Sequence, residues 1–192
     1  MKKETINDIV QWDIHNWSKA LPFWEQALPT EPLICLELGG RTGGLSLWLA
    51  LKGHQVTCSD LRLPRETAEA LHQKYKVDHL VTYETIDASK IPHENKFDVI
   101  VFKSMLGAVA MKGQNHKKQE AIDQMEKALK PGGILLFSEN LEASQLHQWA
   151  RKKFNKWGEN WNYLKFNEVP ELLGNFEKVE TRTDGFLAAF GR

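Results

Sequence analysis

From Leu33 onward, short apolar runs alternate with amphipathic stretches. Residues 33–38 are apolar around Glu37 and run into glycines, which predicts a strand. Residues 43–51 are rich in Leu and are followed by Gly53, which predicts a helix with a glycine at its carboxyl end. Residues 55–60 read as the next strand. Residues 64–76 open on Pro and Arg-Glu and then repeat Ala and Leu at helical spacing. Residues 80–86 and 97–102 read as strands, 117–129 as an amphipathic helix with Ile122, Met125 and Leu129 on one face, and 134–138 as a fifth strand.

Strands separated by helices imply right-handed crossovers and a parallel sheet covered on both faces. The tail has a different pattern. Residues 143–157 read as helix and 167–174 as a short helix or turn. Residues 176–183 and 186–190 flank the turn pair Asp184-Gly185. The predicted fold is therefore α/β, a doubly wound, mostly parallel seven-stranded, Rossmann-like sheet ending in a C-terminal antiparallel hairpin. Ahead of it, residues 1–32 carry Trp12, Trp17 and Trp24 as an N-terminal helical segment or lid. A chain of 192 residues suits one domain.

Composition adds exclusions. Twenty-five basic and 25 acidic side chains cancel, which removes the electrostatic footprint of a dedicated nucleic-acid binder. The start has lysines but no apolar core after them, and no apolar run is long enough to span a bilayer, so a cytoplasmic protein with no membrane partner is expected. Cys35 and Cys58 sit in apolar runs and are expected to be buried free thiols, with no metal site. The oligomeric state is not legible.

The candidate chemistry lies at strand ends, where doubly wound sheets place their ligands. Glu37 is followed by Gly39, Gly40, Gly43 and Gly44, which allow a tight turn and close approach of a ligand to the backbone. The spacing is not Gly-x-Gly-x-x-Gly, and an acid just inside the turn suits a cationic ligand better than a pyrophosphate. Asp60, 21 residues after Gly39, ends the second strand where an acid can accept from a ribose diol. Asp87, with Leu61 and Ile86 nearby, suits an adenine, or alternatively a cap on the segment that follows.

Taken in order, these segments resemble the class I S-adenosylmethionine-dependent methyltransferases. LICLELGGRTGGLSLWLALKG is similar to that family's first strand, glycine turn and first helix, VTCSD to its acidic second-strand end, and TIDASKIP to the segment after the third strand. KFDVIVFKSML resembles the fourth strand and its loop, and KALKPGGILLFSE the entry to the fifth, with Pro131-Gly132-Gly133 at the turn. The resemblance implies S-adenosylmethionine as cofactor. Glu37, Gly39 and Gly43 would surround its methionine part, Asp60 its ribose and Asp87 its adenine, with Gly40, Leu61, Ile86 and Lys103 completing the set. Arg41 departs from the family, whose members commonly carry Gly there.

The acceptor should sit beside the fourth-strand end. Lys103-Ser104-Met105 stands there instead of an Asn/Asp-Pro-Pro-Tyr or -Phe signature, which disfavours methylation of base or amide nitrogen. A hydroxyl acceptor on a small molecule or glycan is expected, and it needs a base. His116 is the histidine best placed for that role, or it is a solvated residue before a helix. Trp12, His15 and Trp17 are candidates for a lid over the acceptor, and Ser104 and Glu139 for contacts to it; Glu139 equally suits a helix cap. His72 is assigned no role. The alternatives are a non-catalytic S-adenosylmethionine-binding protein of the same fold and an NAD-dependent oxidoreductase.

Overall fold

The structure is a computed structural model that describes residues 1–142 and 161–184. Five parallel strands form one sheet: β1 (Ile34–Leu38), β2 (Gln55–Asp60), β3 (Val81–Thr85), β4 (Phe97–Lys103) and β5 (Leu129–Ser138). Their spatial order is β3-β2-β1-β4-β5. The chain winds outward from β1 through β2 to β3, then returns across to β4 on the other side of β1. The strand order thus reverses between β1 and β4, and a ligand crevice is expected at their carboxyl ends.

The apolar runs are continuous because both faces of the sheet are buried. Cys35 from β1 and Val99 and Val101 from β4 join one core with Trp48, Leu45 and Ala68. Leu36, Leu38, Ile100 and Phe102, alternating with them, join a second core with Ile122, Met125 and Leu172. The first face is covered by α1 (Lys3–Val10), α2 (Ile14–Trp17), α3 (Ala20–Glu25), α4 (Gly44–Ala50) and α5 (Arg65–Lys74). The second is covered by α6 (Leu106–Val109), α7 (His116–Ala128) and α8 (Val169–Leu172).

Cys35 and Cys58 are free and fully buried, as expected. Opposite β4, the register jumps from Phe97 beside Leu129 to Val99 beside Ile134. Lys130 to Gly133 therefore loop out, with Gly132 at φ +77° supplying the left-handed residue that the turn requires.

The expected C-terminal hairpin falls partly outside the described residues. Residues 177–183 are exposed and pair with no strand among the described residues, where the sheet has five strands. The second arm, 186–190, and the helix expected at 143–157 lie outside the described residues. Among the described residues no helix is long and apolar enough to cross a membrane.

Candidate active site

At the strand-order reversal, a cavity of about 680 Å³ opens between the ends of β1 and β4, a volume typical of small-molecule sites. From β1, β4 and the residues just beyond their carboxyl ends come Glu37, Gly39, Gly40, Lys103 and Ser104; from the turn and α4 come Arg41, Gly44 and Leu45. The N-terminal segment supplies Ile9, Gln11 and Trp12, and the far side is closed by Met111 and Trp161.

Glu37 is 4% exposed. Its Oε1 accepts the Leu45 N–H (3.1 Å) and its Oε2 accepts the Ser46 N–H (2.8 Å) and hydroxyl (2.5 Å). The carboxylate thus satisfies donors at the start of α4, where no adjacent side chain caps the helix. Burial pushes its carboxyl above the usual range, while the Ser46 and Leu45 hydrogen bonds and the Lys103 charge pull it back. A Cβ at Gly40 would lie 2.9 Å from Glu37 Oε2, so only glycine lets the turn close over this acid.

Three of the six non-glycine residues at positive φ among the described residues line this cavity: Gln11 (+70°), Arg41 (+45°) and Ser104 (+52°). Strained backbone concentrated at a pocket is the usual mark of a functional site. Arg41 is held by its backbone. Its N–H donates to Asp60 Oδ2 (3.0 Å), and its carbonyl accepts from the Thr67 hydroxyl (2.5 Å). Its side chain is exposed. Arg41→Gly should therefore leave cofactor affinity within about threefold and stability within about 1 kcal/mol. Relief of the left-handed strain offsets the added freedom of the unfolded chain. Ligand titration and urea unfolding check this; a tenfold loss of affinity would show that the guanidinium touches the ligand.

Lys103 ties the N-terminal segment across the cavity. Its ammonium donates to the Val10 carbonyl and lies over the rings of Trp12 (4.8 Å) and Trp17 (5.8 Å). Burial lowers its pKa to about 8 from the ordinary 10.5, against the pull of Glu37 and Asp13. The unfolded chain therefore holds this proton more tightly than the fold does, and stability should rise as pH climbs from about 8 towards 10.5. In Lys103→Met that rise is expected to be smaller. Urea unfolding of both proteins at pH 7.5 and 10 measures the difference, and parallel curves would refute it.

Of the other expected residues, Trp12 and Ser104 line the cavity. Asp60 stands one strand over, its Oδ1 accepting the Leu61 N–H and its Oδ2 the Arg41 N–H. Leu61 is 68% exposed and is not among the cavity residues, and Ile86, whose N–H donates to the Asp60 carbonyl, is buried in the core. Gly43 lies behind the turn against His72.

Five further residues lie away from the cavity, three of them (Asp87, Glu139 and His116) in the alternative role that the sequence also allows. Asp87 caps the next turn, accepting the Ser89 N–H (2.9 Å) and hydroxyl (2.7 Å). Glu139 caps α6, accepting the Met105 (2.5 Å) and Leu106 (2.6 Å) N–H groups, and burial raises its pKa to about 7. His116, at the start of α7, and His15, on α2, are exposed and are not among the cavity residues; Trp17 packs edge-on beneath Trp12 in the core. Sequence reasoning also missed Ile9, Gln11, Leu45 and Met111. Nothing local marks them, because they reach the cavity only through long-range packing. No group of acidic, His and Cys side chains suited to a metal ion occurs among the described residues.

The comparisons agree with this geometry. The family model described as "Methyltransferase domain" matches residues 12–177. A ubiquinone/menaquinone biosynthesis C-methyltransferase from Ruegeria sp. (strain TM1040) is 30% identical over 180 residues, covering 89% of this chain and 64% of that protein. The chain thus spans about two thirds of the length of the curated relatives it matches. Among solved structures, a SAM-dependent methyltransferase from Methanosarcina mazei is similar at TM-score 0.63 and 20% identity, covering 80% of this chain and 82% of that one. A protein from Pyrococcus horikoshii OT3 is similar at TM-score 0.68 and 17% identity, covering 88% and 84%. With the family model spanning most of the chain and the strand order placing its cavity at the β1/β4 reversal, the chain belongs to the class I S-adenosylmethionine-dependent methyltransferases.

Proposed function

We propose that this protein transfers a methyl group from S-adenosylmethionine to a small molecule, and that the accepting atom is carbon. The observation that carries the cofactor part is the cavity beside the buried, hydrogen-bonded Glu37, walled by glycine backbone. An acid in that position favours a cationic ligand, and Gly39, Gly40 and Gly44 let it approach the main chain. Asp60 spends one lone pair of each oxygen on the loop backbone and keeps the others for a ribose diol.

When bound, S-adenosylmethionine supplies an electrophilic methyl whose sulfonium leaves as a neutral thioether. The residues of this chain then have to align the acceptor and exclude water, and such positioning supplies roughly 7–11 kcal/mol in favourable cases. Trp12, Trp161, Ile9 and Met111 give the cavity an apolar, aromatic side on which a small acceptor can lie. Ser104 Oγ accepts from Asn140 Nδ2 (2.7 Å), which leaves its own proton to orient a polar group of the acceptor.

The hydroxyl acceptor expected from sequence, on a small molecule or glycan, required a base. His116 does not line the cavity, and the curated relatives carry the name C-methyltransferase. A carbon acceptor also releases a proton, to solvent, as the new bond forms, so the position of His116 bears equally on both atoms, and it is the relatives' name that favours carbon. Titration with S-adenosylmethionine and S-adenosylhomocysteine tests the cofactor: saturable binding is expected, and none at millimolar ligand would overturn the proposal. Incubation with methyl-labelled cofactor and candidate acceptors, read by carbon NMR, tests the reaction. A new C–CH₃ resonance supports it, an O–CH₃ resonance restores the hydroxyl expectation, and binding without turnover favours a non-catalytic cofactor-binding protein.

A further inference from the structure

The glycine turn is supported from behind by a histidine that takes no part in lining the cavity. His72, on α5, has no solvent exposure. Its Nε2 lies 2.9 Å from the Gly43 carbonyl oxygen and its Nδ1 lies 2.7 Å from the Tyr83 hydroxyl. A carbonyl can only accept, so Nε2 carries the proton and Nδ1 accepts from Tyr83. Burial lowers the imidazole pKa and favours this neutral tautomer. Tyr83, on β3, also stacks on the ring at 5.7 Å.

The contact falls on the residue that turns the loop into the helix. Gly43 has φ +72° and immediately precedes α4, and its carbonyl also accepts the Leu47 N–H (2.9 Å). A Cβ at Gly43 would lie 2.6 Å from the His72 ring, so glycine and imidazole are packed with no room between them. Gly40 and Gly44, on either side, line the cavity while Gly43 does not. A planar trans peptide fixes the direction of its N–H once its carbonyl is fixed. Anchoring the Gly43 carbonyl therefore sets the orientation of the Gly43–Gly44 peptide at the cavity wall.

We propose that His72 is a positioning residue for the cofactor, with the Tyr83–His72–Gly43 hydrogen-bond chain holding the glycine turn in its binding conformation. The proposal rests on the reading that this turn binds S-adenosylmethionine. It assigns a role to a side chain that sequence reasoning left without one.

The test compares His72→Phe, which keeps an aromatic ring but loses the donor, with His72→Gln, whose amide nitrogen can replace Nε2, and with Tyr83→Phe. Binding of S-adenosylhomocysteine is followed by tryptophan fluorescence, folding by urea unfolding, and the turn by hydrogen exchange of the 43–46 amides in the ligand-free protein. His72→Phe should weaken binding about tenfold, the upper range for one neutral hydrogen bond, and should speed exchange of those amides by a similar factor. His72→Gln should recover affinity to within about threefold, and Tyr83→Phe should fall between. Equal affinity in wild type and His72→Phe, or failure of Gln to rescue, overturns the proposal. If wild type binds no cofactor, the proposed function fails, and the exchange experiment still decides: unchanged protection at 43–46 in His72→Phe removes the role of His72.

Discussion

Glu37→Ala is expected to destabilise the protein by about 3 kcal/mol and to weaken S-adenosylmethionine binding by about a hundredfold. Its carboxylate accepts from two amides and one hydroxyl at the start of α4, and both donor residues, Leu45 (4% exposed) and Ser46 (0%), are buried. Alanine leaves both amides without their acceptor, and each buried orphan costs about 1–3 kcal/mol. Water admitted to the vacated space holds the total near the lower end. For a chain of this size that corresponds to a fall in Tm of roughly 6–12 °C. The loss of affinity has a separate cause, a charge-assisted contact to a cationic ligand, at about 1.4 kcal/mol per tenfold.

Glu37→Gln separates the two effects. It keeps one oxygen for the helix amides but removes the charge. If the carboxylate charge is what the cofactor reads, Gln lowers affinity almost as far as Ala does, at roughly half the cost in stability. If Gln binds normally, Glu37 acts only by shaping the turn. Calorimetric titration and urea unfolding of the three proteins decide between the two.

The sheet was legible because its physics is local. Residues of β1 and β4 contribute to the cores on both faces, so their sequences are nearly continuous apolar runs, and β2 spans the same residues as the predicted strand. The glycine turn was legible because left-handed backbone demands glycine at Gly39 and Gly43. What failed was non-local. His72 sits among polar helical neighbours and looks solvated until Gly43, 29 residues away, is packed against it. The N-terminal aromatic segment reads as helix. It breaks between α1 and α2, where Gln11 and Asp13 take positive φ, and that break places Gln11 and Trp12 at the cavity. Residues 177–183 are exposed and pair with no strand among the described residues.

Gly44→Ala should cost about 1–3 kcal/mol and about tenfold in cofactor affinity, although alanine is the better helix former. Gly44 begins α4, and its φ is not in the left-handed region, so backbone strain plays no part. On propensity alone the substitution would stabilise by about 1 kcal/mol. The added methyl, however, would fall inside the contact distance of the Ile9 carbonyl oxygen and 2.6 Å from Gln11 Nε2. The Ile9 oxygen is backbone, in a segment pinned by Lys103 at Val10 and by Lys74 at Glu4 and Asp8. It cannot yield like the end of a flexible side chain, and overpacking of this kind costs about 1–3 kcal/mol. The strain is relieved by lifting residues 9–12, which form one wall of the cavity. Two measurements should therefore move together. Urea unfolding should report the lost stability, and trypsin should cut faster after Lys19 as the segment loosens. A variant as stable as wild type and equally resistant to trypsin would show that the N-terminal segment is not seated on the glycine turn, and the enclosure of the cavity would have to be sought elsewhere.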